Sequence, residues 1–175
     1  GKSLLTNGFE SRVASNQELR LRYNINRLYS FEGKLTNSEN GTKSEFFENR
    51  NFTIVSNEVQ PKIIYQPSVK FRISFSATYK EKENLLGPEK SFNRSLSSEL
   101  NWNQAGKGSF LLLVDYTAID FNATANNSLA FEMLEGLSPG NNISWSLQWQ
   151  RNLSSYLQLN LNYSGRKSDN FRVIH

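Results

Sequence analysis

Hydrophobic and polar residues alternate with a period of two along most of this chain. Leu19, Leu21, Tyr23 and Ile25 are interleaved with Arg20, Arg22, Asn24 and Asn26, and Tyr29, Phe31, Gly33 and Leu35 with Ser30, Glu32 and Lys34. The most regular stretch runs Val69, Phe71, Ile73, Phe75, Ala77, Tyr79 against Lys70, Arg72, Ser74, Ser76, Thr78, Lys80. Similar runs follow at Leu96–Asn103, Phe110–Ala118, Ile143–Gln150 and Leu157–Ser164. Successive side chains of a strand point to opposite faces, so this pattern predicts strands with one apolar and one polar face. The phase changes near Ile54-Val55, which predicts a β-bulge there. Leu111 and Leu113 put apolar groups on the polar face, and Leu129–Leu137 is the one helix-like stretch.

The connections predict how the strands are joined. Short ones fall near Asn26-Arg27, Gln66-Pro67-Ser68, Gln104–Lys107 and Asn152–Ser155; longer ones cover roughly 37–50, 82–90 and 122–141, with a medium one near 165–170. They are rich in Asn, Ser, Gly or Glu, as turns and solvated loops should be. Regular alternation of short and long connections is the habit of outer-membrane barrels, whose periplasmic turns are short and extracellular loops long. The expected fold is therefore all-β: an antiparallel up-and-down transmembrane β-barrel of which about nine strands are covered. On this reading residues 1–15 are a lead-in or extracellular loop and residues 16–175 are the C-terminal strands. The first strand, about 17–25, runs down from the outside, the ninth starts near Phe171, and at least one upward strand precedes them in a larger barrel.

Strand length and aromatic placement support that reading over a soluble β-sandwich or jelly roll, such as a carbohydrate-binding or adhesion module. Sandwich strands average about 5–6 residues, whereas membrane-spanning ones need about 9–11. Segments 69–80, 92–103, 108–119 and 142–151 belong to the longer class. Tyr29, Tyr65, Trp102, Phe110 and Trp149 lie near the short turns; Phe52, Tyr79, Phe92, Trp145 and Tyr163 lie toward the long connections. Strand propensity accounts for aromatic abundance but not for two girdles, which are expected at headgroup depth. On the other face, Arg20, Arg22, Glu32, Lys34, Lys70, Arg72, Lys80, Glu99 and Asp115 are too costly to place in hydrocarbon and are expected to line a wet lumen, as a pore lining or a plug cradle.

Composition narrows the chemistry. The chain has 175 residues, mean hydropathy −0.58, and no apolar run longer than Phe110–Val114, far short of the roughly 18–20 residues of a spanning helix. Low hydropathy suits a barrel as well as a soluble protein, because every second residue faces the lumen. Lys+Arg number 20 against 16 Asp+Glu and are scattered, which argues against a nucleic-acid surface and is compatible with anionic lipid or lipopolysaccharide. There is no cysteine, and the single histidine is His175, leaving little for a catalytic triad. Gly106-Lys107-Gly108 reads as a turn rather than a phosphate loop, and Glu81/Glu83, Asp115/Asp120 and Asp169 lack catalytic or calcium-ligand spacing. No enzymatic activity, cofactor or metal is expected. The Asn-x-Ser/Thr sequons at Asn40, Asn51, Asn93, Asn122, Asn126, Asn142, Asn152 and Asn162 follow from an Asn- and Ser-rich composition.

Three stretches, Leu129–Gly140, Trp145–Gln150 and Leu157–Ser168, resemble the C-terminal part of large outer-membrane β-barrel proteins of Bacteroidota. The resemblance implies an outer-membrane location and membership of a multi-subunit envelope complex for secretion, uptake or assembly. It also implies a further strand ending in an aromatic residue, beyond Ile174-His175.

Overall fold

In an antiparallel pair, residues directly opposite each other project to the same face, so strand register decides which side chains share a surface. The computed structural model describes residues 2–5, 8–45, 51–123, 128–169 and 171–174. They form one antiparallel sheet whose strands follow each other in chain order. β1 (Lys2–Leu5) and β10 (Phe171–Ile174) are short edge strands. Between them lie β2 (Gly8–Asn24), β3 (Tyr29–Ser44), β4 (Phe52–Ser68), β5 (Phe71–Asn84), β6 (Lys90–Gln104), β7 (Gly108–Phe121), β8 (Gly140–Asn152) and β9 (Gln158–Ser168). The sheet is open: β1 and β10 are its two ends. Among the described residues a single helix, α1 (Ser128–Leu134), sits in the β7–β8 connection and overlaps the stretch Leu129–Leu137 predicted to be helical.

The all-β, up-and-down character agrees with the sequence reading; several details differ. Residues 8–15, expected as lead-in or loop, are strand, paired from Glu10↔Ser44 to Ser15↔Glu39. Residues 37–44, 82–84 and 90 are also strand, so of the three long connections only 122–139 stays long. The extensions at 37–44 and 82–84 are polar on both faces, so no alternation betrays them; cross-strand partners such as Asn37 Nδ2, which donates to Asn57 Oδ1 at 2.7 Å, hold them instead.

The predicted bulge at Ile54-Val55 is absent. β3 and β4 stay in register from Thr42↔Phe52 to Tyr29↔Tyr65, and the shift occurs instead between Tyr65 and Ser68, beside Pro67. Phe52 and Ile54 therefore lie on the polar face, where Ile54 is buried. Phe52 thus drops out of the expected aromatic girdle.

Register produces continuous rows. One polar row runs Arg22, Glu32, Lys62, Ser76, Ser97, Asp115, Ser144, Arg166. The adjacent apolar row runs Tyr23, Phe31, Ile63, Phe75, Ser98, Val114, Trp145, Gly165. At its end the Trp145 ring lies across Gly165, where a Cβ would come within 2.5 Å of the ring. An aromatic thus shields backbone that a glycine leaves bare.

The two faces are buried in the reverse of the soluble order. On the apolar face Leu21 (63%), Phe75 (59%) and Leu96 (61%) stay exposed, while on the polar face Ser74 (3%) and Ser91 (2%) are nearly inaccessible. The buried apolar cluster is small: Ile119, Ala130 and Leu134, joined by Phe121 and Leu137.

Candidate functional site

That cluster exists because α1 folds back over the polar face. Ile119 and Phe121 of β7 share the face of Asn93 and Ser91, and α1 turns Ala130 and Leu134 onto it. Polar contacts fix the seat. Lys82 Nζ donates to the Glu132 carbonyl at 2.7 Å and Ser91 Oγ to the Met133 carbonyl at 3.3 Å, satisfying carbonyls that the last helical turn leaves free. Lys82 also places its charge at the negative end of the helix dipole.

Glu135 follows the helix with φ 56°, in the left-handed region, and Gly136 continues there at φ 76°. That conformation costs a residue with a Cβ about 1–2 kcal/mol. The side chain explains why a glutamate stands there: its carboxylate meets Lys80 and Lys82, each at 2.9 Å. Lys80 in turn meets Glu58 at 2.8 Å, and Glu58 meets Lys34 at 2.9 Å. The result is a chain of alternating charge, Lys34–Glu58–Lys80–Glu135–Lys82, linking three strands to the loop. Burial pushes the Glu135 carboxyl upward, but hydrogen bonds from Lys82 and Lys80 outweigh it and hold the group below the usual carboxylate range.

The residues predicted to line a lumen fall mostly on this face. Arg20 pairs with Glu18, Arg22 with Glu32 at 3.5 Å, and Arg72 with Glu99 at 2.5 Å. Asp115 is half-buried in the row of Ser97 and Ser144. Lys70 is the exception: it lies in the exposed β4–β5 turn, because the register shift ends β4 at Ser68 and leaves Val69-Lys70 as the connection. Glu58, Lys62, Lys82 and Glu135 were missed. The first three sit where the mistaken bulge or an expected loop obscured the phase, and Glu135 joins the face only through the fold of the helix.

Predicted girdle aromatics lie on the apolar face. Tyr29 and Tyr65 pack with ring centroids 4.9 Å apart. Trp102 and Trp149 flank Phe110 near the short turns, and Tyr79 lies at the far edge beside Arg94. Trp145 and Tyr163, expected toward the long loops, share rows with residues farther from those loops on other strands: Trp145 with Phe75 in a middle row, and Tyr163 with Tyr65 and Leu147 in the row that begins at Tyr29. Their place is explained by the slant of the apolar band.

On β2 the last apolar residue of the continuous band is Leu19, whose row continues through Leu35, Val59, Tyr79, Arg94, Ala118 and Asn141 toward Asp169. On β9 the band already ends at Tyr163. The edge has therefore moved about six residues, or roughly 20 Å along the strands, against about 34 Å across them, a slope of roughly 30°. The opposite edge moves the same way, from the Tyr29–Tyr65 row to Leu159. On β5 the band spans Phe71 to Tyr79, roughly 27 Å of strand.

Among the described residues, no group of three or more His, Cys, Asp or Glu side chains could hold a metal ion, and no helix is long and apolar enough to cross a membrane. No protein-family model, curated protein or solved structure matches the chain.

Proposed function

We propose that this chain is part of an outer-membrane β-barrel of a Gram-negative envelope, its apolar face turned to lipid and its polar face to a lumen. The observation that carries this reading is the uncovered apolar face. A contiguous apolar surface crossing eight strands is far larger than a soluble monomer ordinarily exposes. The slant adds support. Barrel strands tilt about 35–45° from the axis, so a band held level in a bilayer must cross the rows obliquely. Tilted by that amount, the roughly 27 Å of β5 rises about 20 Å, close to the roughly 25 Å apolar band of such barrels. The resemblance to large Bacteroidota barrel proteins points the same way and favours a structural or transport-related subunit of an envelope complex.

A carbohydrate-binding or adhesion sandwich would need a second layer over the apolar face. Among the described residues none packs there; α1 covers the opposite face.

Purification tests the choice. The protein should partition with outer membranes, require detergent, and run faster on gels unheated than boiled. A chain that is soluble and monomeric without detergent would exclude the barrel.

A further inference from the structure

Charges on the polar face are paired almost throughout, through Arg22–Glu32, Lys34–Glu58–Lys80 and Arg72–Glu99. Asp115 breaks the rule: it has no ion-pair partner among the described residues. Arg166, in the same row with Ser144 between them, has no ion-pair partner among the described residues either. Both line one cavity of about 360 Å³ between β7–β9 and the segment after α1, whose other wall includes Leu137 and Ser138. That wall is fixed, because Asn142 Nδ2 donates to the Ser138 carbonyl at 2.7 Å and Ser168 Oγ donates to Asn142 Oδ1 at 2.8 Å.

We propose that this cavity binds a small zwitterion, an amino acid or short peptide with free ends. Asp115 takes the ammonium and Arg166 the carboxylate, which the guanidinium can hold bidentately. Two strand spacings put their Cα atoms roughly 10 Å apart. Both side chains line the cavity, so the two ends of a short zwitterion can meet them across that span. The Ser144 and Thr117 hydroxyls offer hydrogen bonds along the span, and Leu137 offers an apolar contact. The volume lies in the range of small-molecule sites. The inference concerns the polar face alone and does not depend on what covers the apolar face.

The test is calorimetric titration of the full chain, in detergent or without it as its solubility requires, with folding checked by circular dichroism. The probes are glycyl-leucine, its N-acetyl form and its C-terminal amide. Glycyl-leucine should bind, and either cap should weaken binding about tenfold or more. Asp115→Asn should erase the distinction between free and acetylated probe, and Arg166→Gln that between acid and amide. Equal binding of all three probes by the unaltered protein, or no binding of glycyl-leucine, would overturn the proposal. So would an unaltered preference in Asp115→Asn.

Discussion

On one face of the sheet Leu21, Phe75 and Leu96 lie open; on the other, Ser74 and Ser91 are almost sealed. The same strands make both faces, and the same period-two pattern produces both. What differs is the cover. The polar face is sheltered by its own cross-strand ion pairs and by α1, whereas the apolar face has no cover within the described chain. In water that arrangement is unfavourable, since apolar burial is the main favourable term in folding. In a bilayer it is the arrangement expected.

The largest way to break this contrast is to charge the apolar face. Phe75→Arg, in the middle of the band, should cost about 2–4 kcal/mol in lipid, and Asn57→Arg, beyond its edge on the same face, about 0–1 kcal/mol. Urea titrations of protein folded into liposomes would measure both, and equal costs would remove the band. Next comes the cover on the polar face. Leu134→Ala empties the small cluster under α1 and should weaken its docking by about 2 kcal/mol or more. Hydrogen exchange should show this in residues 128–134 while the strand amides stay protected.

Glu135 gives a smaller effect with a pH signature. Its folded pKa lies below the ordinary value, so its contribution is fully present above the unfolded pKa, about 4.3, and is lost as pH falls through the folded one. Protease protection of the segment after α1 should hold steady from neutral pH to about 5 and fall below about 4. Glu135→Gln should lower it at neutral pH and flatten that acid limb. Glu135→Gly loses the same ion pairs but relieves the left-handed backbone, so it should protect better than Glu135→Gln by about 1 kcal/mol. Smallest of all, Asn37→Ala removes one exposed amide pair and should change stability by no more than about 0.5 kcal/mol.

Strand identity and facing were legible wherever one face was apolar, as from Phe71 to Lys80. Strand ends were not, because at Glu39 or Glu83 neither face is apolar and pairing alone decides. Ile54 read as a defect because a polar face was assumed to be polar throughout. Together with Ile119 and Phe121, which also interrupt the polar phase near the same end, it was a usable signal that something apolar docks there. The apolar spacing of Ala130, Met133 and Leu134 was the matching half of that signal. The charge chain through Glu135 was beyond reach, because its members come from three strands and a loop that only the fold brings together.

The central claim, that the apolar face meets lipid along a slanted band, has a direct measurement. The chain has no cysteine, so single cysteines can be introduced one at a time and spin-labelled in liposomes. Labels at odd positions from 71 to 79 on β5 should be open to oxygen and shielded from a water-soluble nickel reagent, and those at even positions the reverse. On β9 the lipid-exposed stretch should end near Tyr163, while on β2 it should extend to Leu19, displaced along the rows as the slope requires. Aqueous access at the odd positions, or a band running parallel to the rows, would contradict the assignment.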